Sequence, residues 1–319
     1  VGFKSLVRAT SDLAAMGATP RFFLLTLAIP ASRTGTWLDG FLRGMARAAR
    51  AMNMVLLGGD TTKSRTVSIS ITVLGEIPRG LAVTRSGARP GDLIYVSGTL
   101  GRAQLGLEVL RNNASRAKES VSQLRFSSGH DFSRAANAAI PLRLQPLRDE
   151  FYSRDTDSKP LTAGSVNQRG PQLRRLLLPH LYPTIRLDLG AWLAKHRIAS
   201  AMMDLSDGLS TDLARLCTAS GVGAQVRSAS IPRVALPAAL SKHLKRLNLD
   251  PLRITLHGGD DYELLFTVSP RNIKKLSKAP DFSQLTAIGE ITRGKAVTLV
   301  SPNGTKKPLT PQGWDPFRS

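Results

Sequence analysis

The sequence predicts a protein of mixed α/β class built from two domains. Its 319 residues are enough for two full cores. Short apolar runs that end on glycine or an acid alternate with runs of helical periodicity. Between Leu81 and Gly101 lies a joining stretch, with turn chemistry at Pro90-Gly91-Asp92, a strand at Leu93 to Val96 and a glycine-bracketed loop opening a helix. The expected division falls at about Leu81, giving an N-terminal domain over 1–81 and a C-terminal domain over 82–319.

The chain opens on a helix predicted from Gly2 to Met16. Ala9, Ala14 and Ala15 allow it a close neighbour, and Gly17 ends it. Asp12 follows Ser11 on this helix. Arg21 to Ile29 reads as a buried strand closed by Pro30. Trp37 to Met52 fits an amphipathic helix with Leu38, Phe41, Leu42, Met45 and Ala49 on one face. Met54 to Leu57 is a short strand that runs into an acidic turn, Gly58-Gly59-Asp60. Paired glycines let backbone approach a ligand closely, and the same residues also suit a tight turn. Thr66 to Leu74 follows as a strand, so a hairpin with the preceding one stays open.

Beyond the join, residues 112–175 lose periodicity and read as an insertion, partly helical and partly mobile. Order resumes at Leu176 to Gly190, leading into a helix. Ile198 to Met203 reads as a buried strand, and Leu209, Leu213, Leu216 and Cys217 mark a helix stopped by Gly221. A strand over Ala224 to Ile231 and a helix over Leu236 to Leu247 come next. His257 to Pro270 holds another Gly-Gly-acid turn feeding a strand, and Ala287 to Ile291 and Ala296 to Leu299 complete the sheet. The tail carries Gly-Trp-Asp-Pro-Phe, Gly313 to Phe317.

A net charge of +21 raises nucleic acid as a partner. The basic residues are spread along the chain, however, and aromatics make up only 5% of it. Few stacking platforms remain, so no specific nucleic-acid partner is expected. No apolar stretch near the start is long enough to span a bilayer, and neither a signal peptide nor a membrane partner is expected. One cysteine, Cys217, excludes a disulfide within the chain and makes the cytoplasm the expected compartment.

The chemistry centres on Met203 to Ser210, which sets Asp204 and Asp207 three residues apart at a strand-to-helix turn. Free N–H groups and the helix dipole favour anions there. Two carboxylates at such a place suit a divalent cation that bridges to phosphate. They equally suit a strand end and a helix cap. Asp12, Asp60, Asp260 and Asp261 share the habit of sitting at the ends of predicted elements. Together these acids point to a multi-metal phosphate site that works by positioning and charge neutralisation. No Walker A loop, kinase loop set or dinucleotide fingerprint is present.

The ordered motifs Ser-Asp-Leu-Ala-Ala-Met-Gly-Ala, Gly-Gly-Asp-Thr-Thr, Thr-Arg-Ser-Gly-Ala-Arg-Pro-Gly-Asp with Ile-Tyr-Val-Ser-Gly-Thr-Leu-Gly, His-Leu-Tyr-Pro-Thr-Ile-Arg-Leu-Asp-Leu-Gly, Met-Asp-Leu-Ser-Asp-Gly-Leu-Ser, Gly-Gly-Asp-Asp-Tyr-Glu-Leu-Leu-Phe and Gly-Trp-Asp-Pro-Phe resemble thiamine-monophosphate kinases. The resemblance covers residues 1–110 and 176–319. It implies the two-domain PurM-like fold of aminoimidazole ribonucleotide synthetase. The activity implied is transfer of the γ-phosphate of ATP to thiamine phosphate, with several magnesium ions.

Position by position, the resemblance implies magnesium at Asp12, Asp60, Asp204 and Asp207. It implies ATP contacts at Gly59, Asp60, Arg85 and Ser206, and thiamine phosphate contacts at Asp260 and Trp314. Asp260 stands where the family usually has glutamate. Family members carry roughly sixty residues ahead of the position of Val1, so the N-terminal domain is expected to be truncated here. They pair as homodimers through the sheets of their N-terminal domains.

Overall fold

In the computed structural model, residues 1–111, 169–235 and 249–314 are described. The predicted insertion and the predicted helix over Leu236 to Leu247 therefore lie largely or wholly outside the described residues.

Helix α1 (Gly2–Met16) ends where expected, with Gly17 in the left-handed conformation at φ 76°. Strand β1 (Thr19–Ile29), helix α2 (Thr36–Ala51) and strands β2 (Val55–Lys63) and β3 (Ser68–Glu76) follow. They form a three-stranded sheet in the order β2-β1-β3, parallel on one side of β1 and antiparallel on the other. One open alternative closes here and one expectation fails. β2 and β3 both pair with β1 and not with each other, so there is no hairpin. Gly58, Gly59 and Asp60 lie inside β2 rather than in a turn, because β1 continues past them with Leu24 opposite Gly58 and Thr26 opposite Asp60.

Period-two alternation on β1 sends Phe23, Leu25, Leu27 and Ile29 inward. They pack with Leu6 and Val7 of α1 and with Phe41 and Met45 of α2. Among the described residues, the opposite face has no such cover. Phe22, Leu24, Val55 and Leu74 are exposed there, Val55 at 56%.

The remaining strands build a seven-stranded sheet in the order β10-β9-β6-β8-β4-β7-β5. They are β4 (Leu93–Ser97), β5 (Ala199–Asp204), β6 (Gly223–Arg227), β7 (Leu264–Val268), β8 (Leu285–Thr292), β9 (Val297–Val300) and β10 (Lys306–Pro308). β6 is shorter than predicted, since residues Ser228–Ser230 turn into a 3-10 helix. β10 was not foreseen, its three residues being exposed and without apolar alternation.

Both faces of this sheet are covered. Met203 of β5 and Leu265 of β7 point to one core, with Leu209, Leu213, Leu216 and Cys217. Their neighbours Met202, Leu264 and Phe266 point to the other, with Leu189 and Leu193. Among the described residues, the longer helices are α3 (residues 102–111), α4 (Arg169–Leu181), α5 (Leu187–Lys195), α6 (Leu209–Ser220) and α7 (Pro251–His257). The small residues of α1 serve the close packing expected of them. A side chain at Gly190 of α5 would meet the Ala14 carbonyl at 2.0 Å. That contact fixes α1 beside α5 and carries its polar stripe toward the ends of β5 and β7.

Candidate active site

β5 ends on Asp204 and α6 begins at Leu209, so residues 205–208 form the expected strand-to-helix turn. Its free N–H groups are not free. The buried carboxylate of Asp212 turns back from the first turns of α6, and its Oδ2 accepts the N–H groups of Ser206, Asp207 and Gly208 at 3.1, 3.0 and 3.1 Å. Asp207 is therefore not the cap, and these three N–H groups are taken up by Asp212. Burial pushes the Asp212 carboxyl up to about 7, with the charges of Asp207 and Asp204 adding to the effect. Asp207 itself pairs with Arg215.

Asp204 is buried, and its Oδ2 accepts the Ser11 hydroxyl of α1 at 2.7 Å. Burial, with the nearby charge of Asp12 adding to it, raises its carboxyl to about 6 against the opposing Ser11 hydrogen bond and the charge of Arg85. Arg85 also lies 3.8 Å from Asp12, both side chains being exposed. A carboxylate pair held next to one guanidinium thus forms where α1, β5 and the joining stretch meet.

The second acidic loop docks on the first. The Asp260 N–H donates to the Ser206 carbonyl, and the Tyr262 N–H to the Leu205 carbonyl, each at 2.8 Å. Asp260 and Tyr262 both take positive φ, at 67° and 51°. The Asp260 carboxylate accepts Lys4 of α1 at 2.7 Å and the Tyr262 hydroxyl at 2.6 Å, with His180 at 3.8 Å. Burial opposes ionisation of Asp260, but Lys4 and Tyr262 outweigh it and hold its carboxyl below the usual range. Asp261 turns the other way and accepts the N–H groups of Gly101 and Ala103 at the start of α3. Glu263 takes Arg186 and the Ser97 hydroxyl. Asp260 and Tyr262 are thus anchored to the 205–208 turn, Asp261 to the start of α3, and Glu263 to Arg186 and β4.

The tail closes on the same turn. The Trp314 N–H donates to the Asp207 carbonyl at 3.1 Å, and the indole is 57% exposed beside it. Thus Asp12, Arg85, Asp204, Ser206, Asp207, Asp260 and Trp314 gather around two linked loops. Gly59 and Asp60 do not join them through any described contact. They sit on β2, where every residue is exposed, and Asp60 makes no side-chain hydrogen bond or ion pair among the described residues.

Sequence reading missed Lys4, Asp212 and Glu263. Asp212 had a signal: it lies three residues after Leu209, within the buried stripe of α6. Lys4 had none, because its partner is 256 positions away. Among the described residues no group of three or more His, Cys, Asp or Glu side chains is arranged to hold a metal ion. The donor set nonetheless fits a hard cation at Asp12 and Asp204. A buried carboxylate raised partly by its neighbour's charge is relieved by a divalent ion, and magnesium takes one or two carboxylates with water and phosphate oxygens.

Residues 1–77 match the family described as AIR synthase related protein, N-terminal domain, and residues 179–301 its C-terminal domain. The Thiamine-monophosphate kinase of Salmonella typhimurium is 35% identical over 272 residues, covering 85% of this chain and 65% of that protein. That of Escherichia coli K12 is 31% identical over 319 residues, covering 99% of this chain and 80% of the relative. Among solved structures, AaThiL complexed with AMPPCP and TMP superposes with a TM-score of 0.71 at 28% identity, covering 99% of this chain and 80% of that one. The hydrogenase maturation protein HypE in complex with ATP has a TM-score of 0.66 at 17% identity, covering 99% and 80%, a likeness of fold alone.

Proposed function

The chain belongs to the thiamine-monophosphate kinase family, and from that membership we propose that it transfers the γ-phosphoryl group of ATP to thiamine phosphate. The observation that carries the reading is the meeting of Asp12, Arg85, Asp204, Asp207, Asp260 and Trp314 on two hydrogen-bonded loops. A similar chain complexed with AMPPCP and TMP supports it.

In the reaction an oxygen of the thiamine phosphate group attacks the γ-phosphorus, and the bond from that phosphorus to the β-bridging oxygen breaks. ADP leaves with the electron pair. The acceptor phosphate is already mostly ionised near neutral pH, its second pKa being about 6, so no strong base is required. The difficulty is holding two polyanions in line. Arg85 offers a planar fork to a nucleotide phosphate. The Ser206 hydroxyl and the Gly59 backbone are assigned to the same nucleotide, since the Ser206 N–H is already taken by Asp212. Asp260 and the exposed face of Trp314 are assigned to the thiamine end. Lys4 and Tyr262 fix the Asp260 carboxylate in one orientation before substrate arrives.

Magnesium would be held by Asp12 and Asp204, with Asp207 and Asp60 as further ligands, and when bound it supplies charge neutralisation between the phosphates. Ser11 orients Asp204 toward that role. We assign the nucleotide and metal side to residues 1–81 together with the turn at 204–207, and the remaining fold to 82–319. The same reading sets the reaction in the cytoplasm. A homodimer is proposed through the uncovered face of the three-stranded sheet, where Phe22, Leu24, Val55 and Leu74 form an apolar strip.

The test is formation of thiamine diphosphate from ATP and thiamine phosphate, with a panel of other phosphorylated acceptors alongside. Product with thiamine phosphate supports the reading. Turnover confined to another acceptor would replace it with a sister reaction on the same fold. Light scattering of wild type and Leu24→Arg tests the dimer, which the variant should split.

A further inference from the structure

Three residues on α1 share one stripe. Lys4, Arg8 and Asp12 follow each other at intervals of four, which on a helix means a rise of about 6 Å and a small rotation per step. The stripe borders the site from end to end. Lys4, at one end, bonds Asp260, on the side assigned to thiamine phosphate. Asp12, at the other, stands beside Asp204 and Arg85, on the side assigned to magnesium and ATP. Arg8 lies between them.

Arg8 differs from both neighbours. It is exposed, while Lys4 is partly buried. It makes no hydrogen bond or ion pair among the described residues, whereas Lys4 and Asp12 each have a partner. Its charge is nonetheless felt at the buried Tyr262 hydroxyl, which Asp260 accepts. A guanidinium between an acidic substrate pocket and a carboxylate pair has carboxylates on both sides and pairs with neither. It keeps five N–H donors for a ligand that approaches along the stripe.

We infer that Arg8 is a phosphate-binding residue that grips the phosphate of thiamine phosphate at the point where it meets the γ-phosphoryl group of ATP. The assignment rests on the proposed reaction. The spacing supports it: the thiamine end lies one helical step toward Lys4, and the metal and nucleotide end one step toward Asp12. The two phosphates must come together between them. Arg85 cannot do both jobs, since it is already turned toward Asp12 at the nucleotide end. A planar fork at this point binds the acceptor in the ground state and faces the equatorial oxygens as charge spreads over them.

The experiment uses wild type, Arg8→Ala, Arg8→Lys and, as an exposed arginine on α2 outside the stripe, Arg43→Ala. Calorimetry measures binding of thiamine phosphate, thiamine and inorganic pyrophosphate, and steady-state kinetics separate kcat from KM. Arg8→Ala should lose about tenfold or more in affinity for thiamine phosphate and for pyrophosphate while binding thiamine as before. Its kcat should fall by about a hundredfold or more, with the KM for ATP little changed. Arg8→Lys should recover part of the affinity and less of the rate, and Arg43→Ala should match wild type. Unchanged pyrophosphate and thiamine phosphate binding by a folded Arg8→Ala chain overturns the proposal. If wild type makes no thiamine diphosphate, the reaction above is wrong, and Arg8 is then judged on pyrophosphate affinity alone. Equal weakening of thiamine binding would show a merely structural role and overturn it too.

Discussion

The tripeptide Gly-Gly-Asp occurs twice, at 58–60 and at 258–260, and the two copies come to opposite ends. The first lies in an exposed strand at the edge of the three-stranded sheet. There the glycines absorb a bulge: Phe23 faces Leu56 while Leu24 faces Gly58, so Leu57 is the extra residue. A side chain at Gly59 would fall 1.8 Å from the Leu25 carbonyl oxygen. The second copy is a loop at the end of α7. Gly259 fits against the Ser206 carbonyl, and Asp260 is locked by Lys4 and Tyr262. Identical local chemistry gives a strand where a neighbouring strand continues, and an anchored turn where partners arrive from α1 and β5. What separates them is the set of hydrogen bonds supplied from far along the chain.

The largest effect should come from Asp212, which anchors the turn that the second copy docks against. Asp212→Ala orphans three N–H groups and removes a partner of Arg215. A stability loss of about 3 kcal/mol or more is expected in urea unfolding. Asp207→Ala, which breaks only an ion pair with a partly exposed arginine, should cost about 1 kcal/mol or less. Comparable losses would mean that Asp212 does not organise the turn.

Gly59→Ala should rank next, at about 2 kcal/mol, because its Cβ meets backbone rather than a movable side chain. Gly58→Ala has open space around it and should cost less. Hydrogen exchange of β1 and β2 amides would locate the loss, and protection unchanged in the Gly59 variant would refute the bulge argument.

A pH series sharpens the comparison further. The buried carboxyls of Asp204 and Asp212 are raised to about 6 and about 7, above their ordinary value of 3.8. The folded chain therefore holds more protons than the unfolded one between those values, and the stability they contribute is full below about pH 4. It is lost as pH rises through 6 and 7. Asp212→Asn should flatten that slope in the upper part of the window.

Asp60→Ala should have the smallest effect on stability, within about 0.5 kcal/mol. Its affinity for Mg-ATP should still fall if Asp60 is a metal ligand, as calorimetry would read. A variant unchanged in both respects would confine the metal site to Asp12, Asp204 and Asp207.

Much of this protein was legible in its sequence. Helix α1 was bounded to the residue, because its apolar spacing and Gly17 are local signals. The strands leading to Asp204 and to Leu264 were legible for the same reason, and so was the burial of Cys217 on the apolar face of α6. The acids at element ends could be named as site candidates, since a carboxylate beside a glycine leaves a local mark. Which acids work together could not be read this way. Asp207 looked like a cap, yet Asp212 holds the turn, and only the packing of α6 under β5 decides which carboxylate turns inward. The fate of Gly58 to Asp60 waited on β1, whose pairing overrides the turn preference of two glycines. Lys4 and Asp260 were each ordinary where they stand in the chain. Their pairing is a property of the fold, because the docking of α1 against α5 and β5 brings together charges that sequence separation hides.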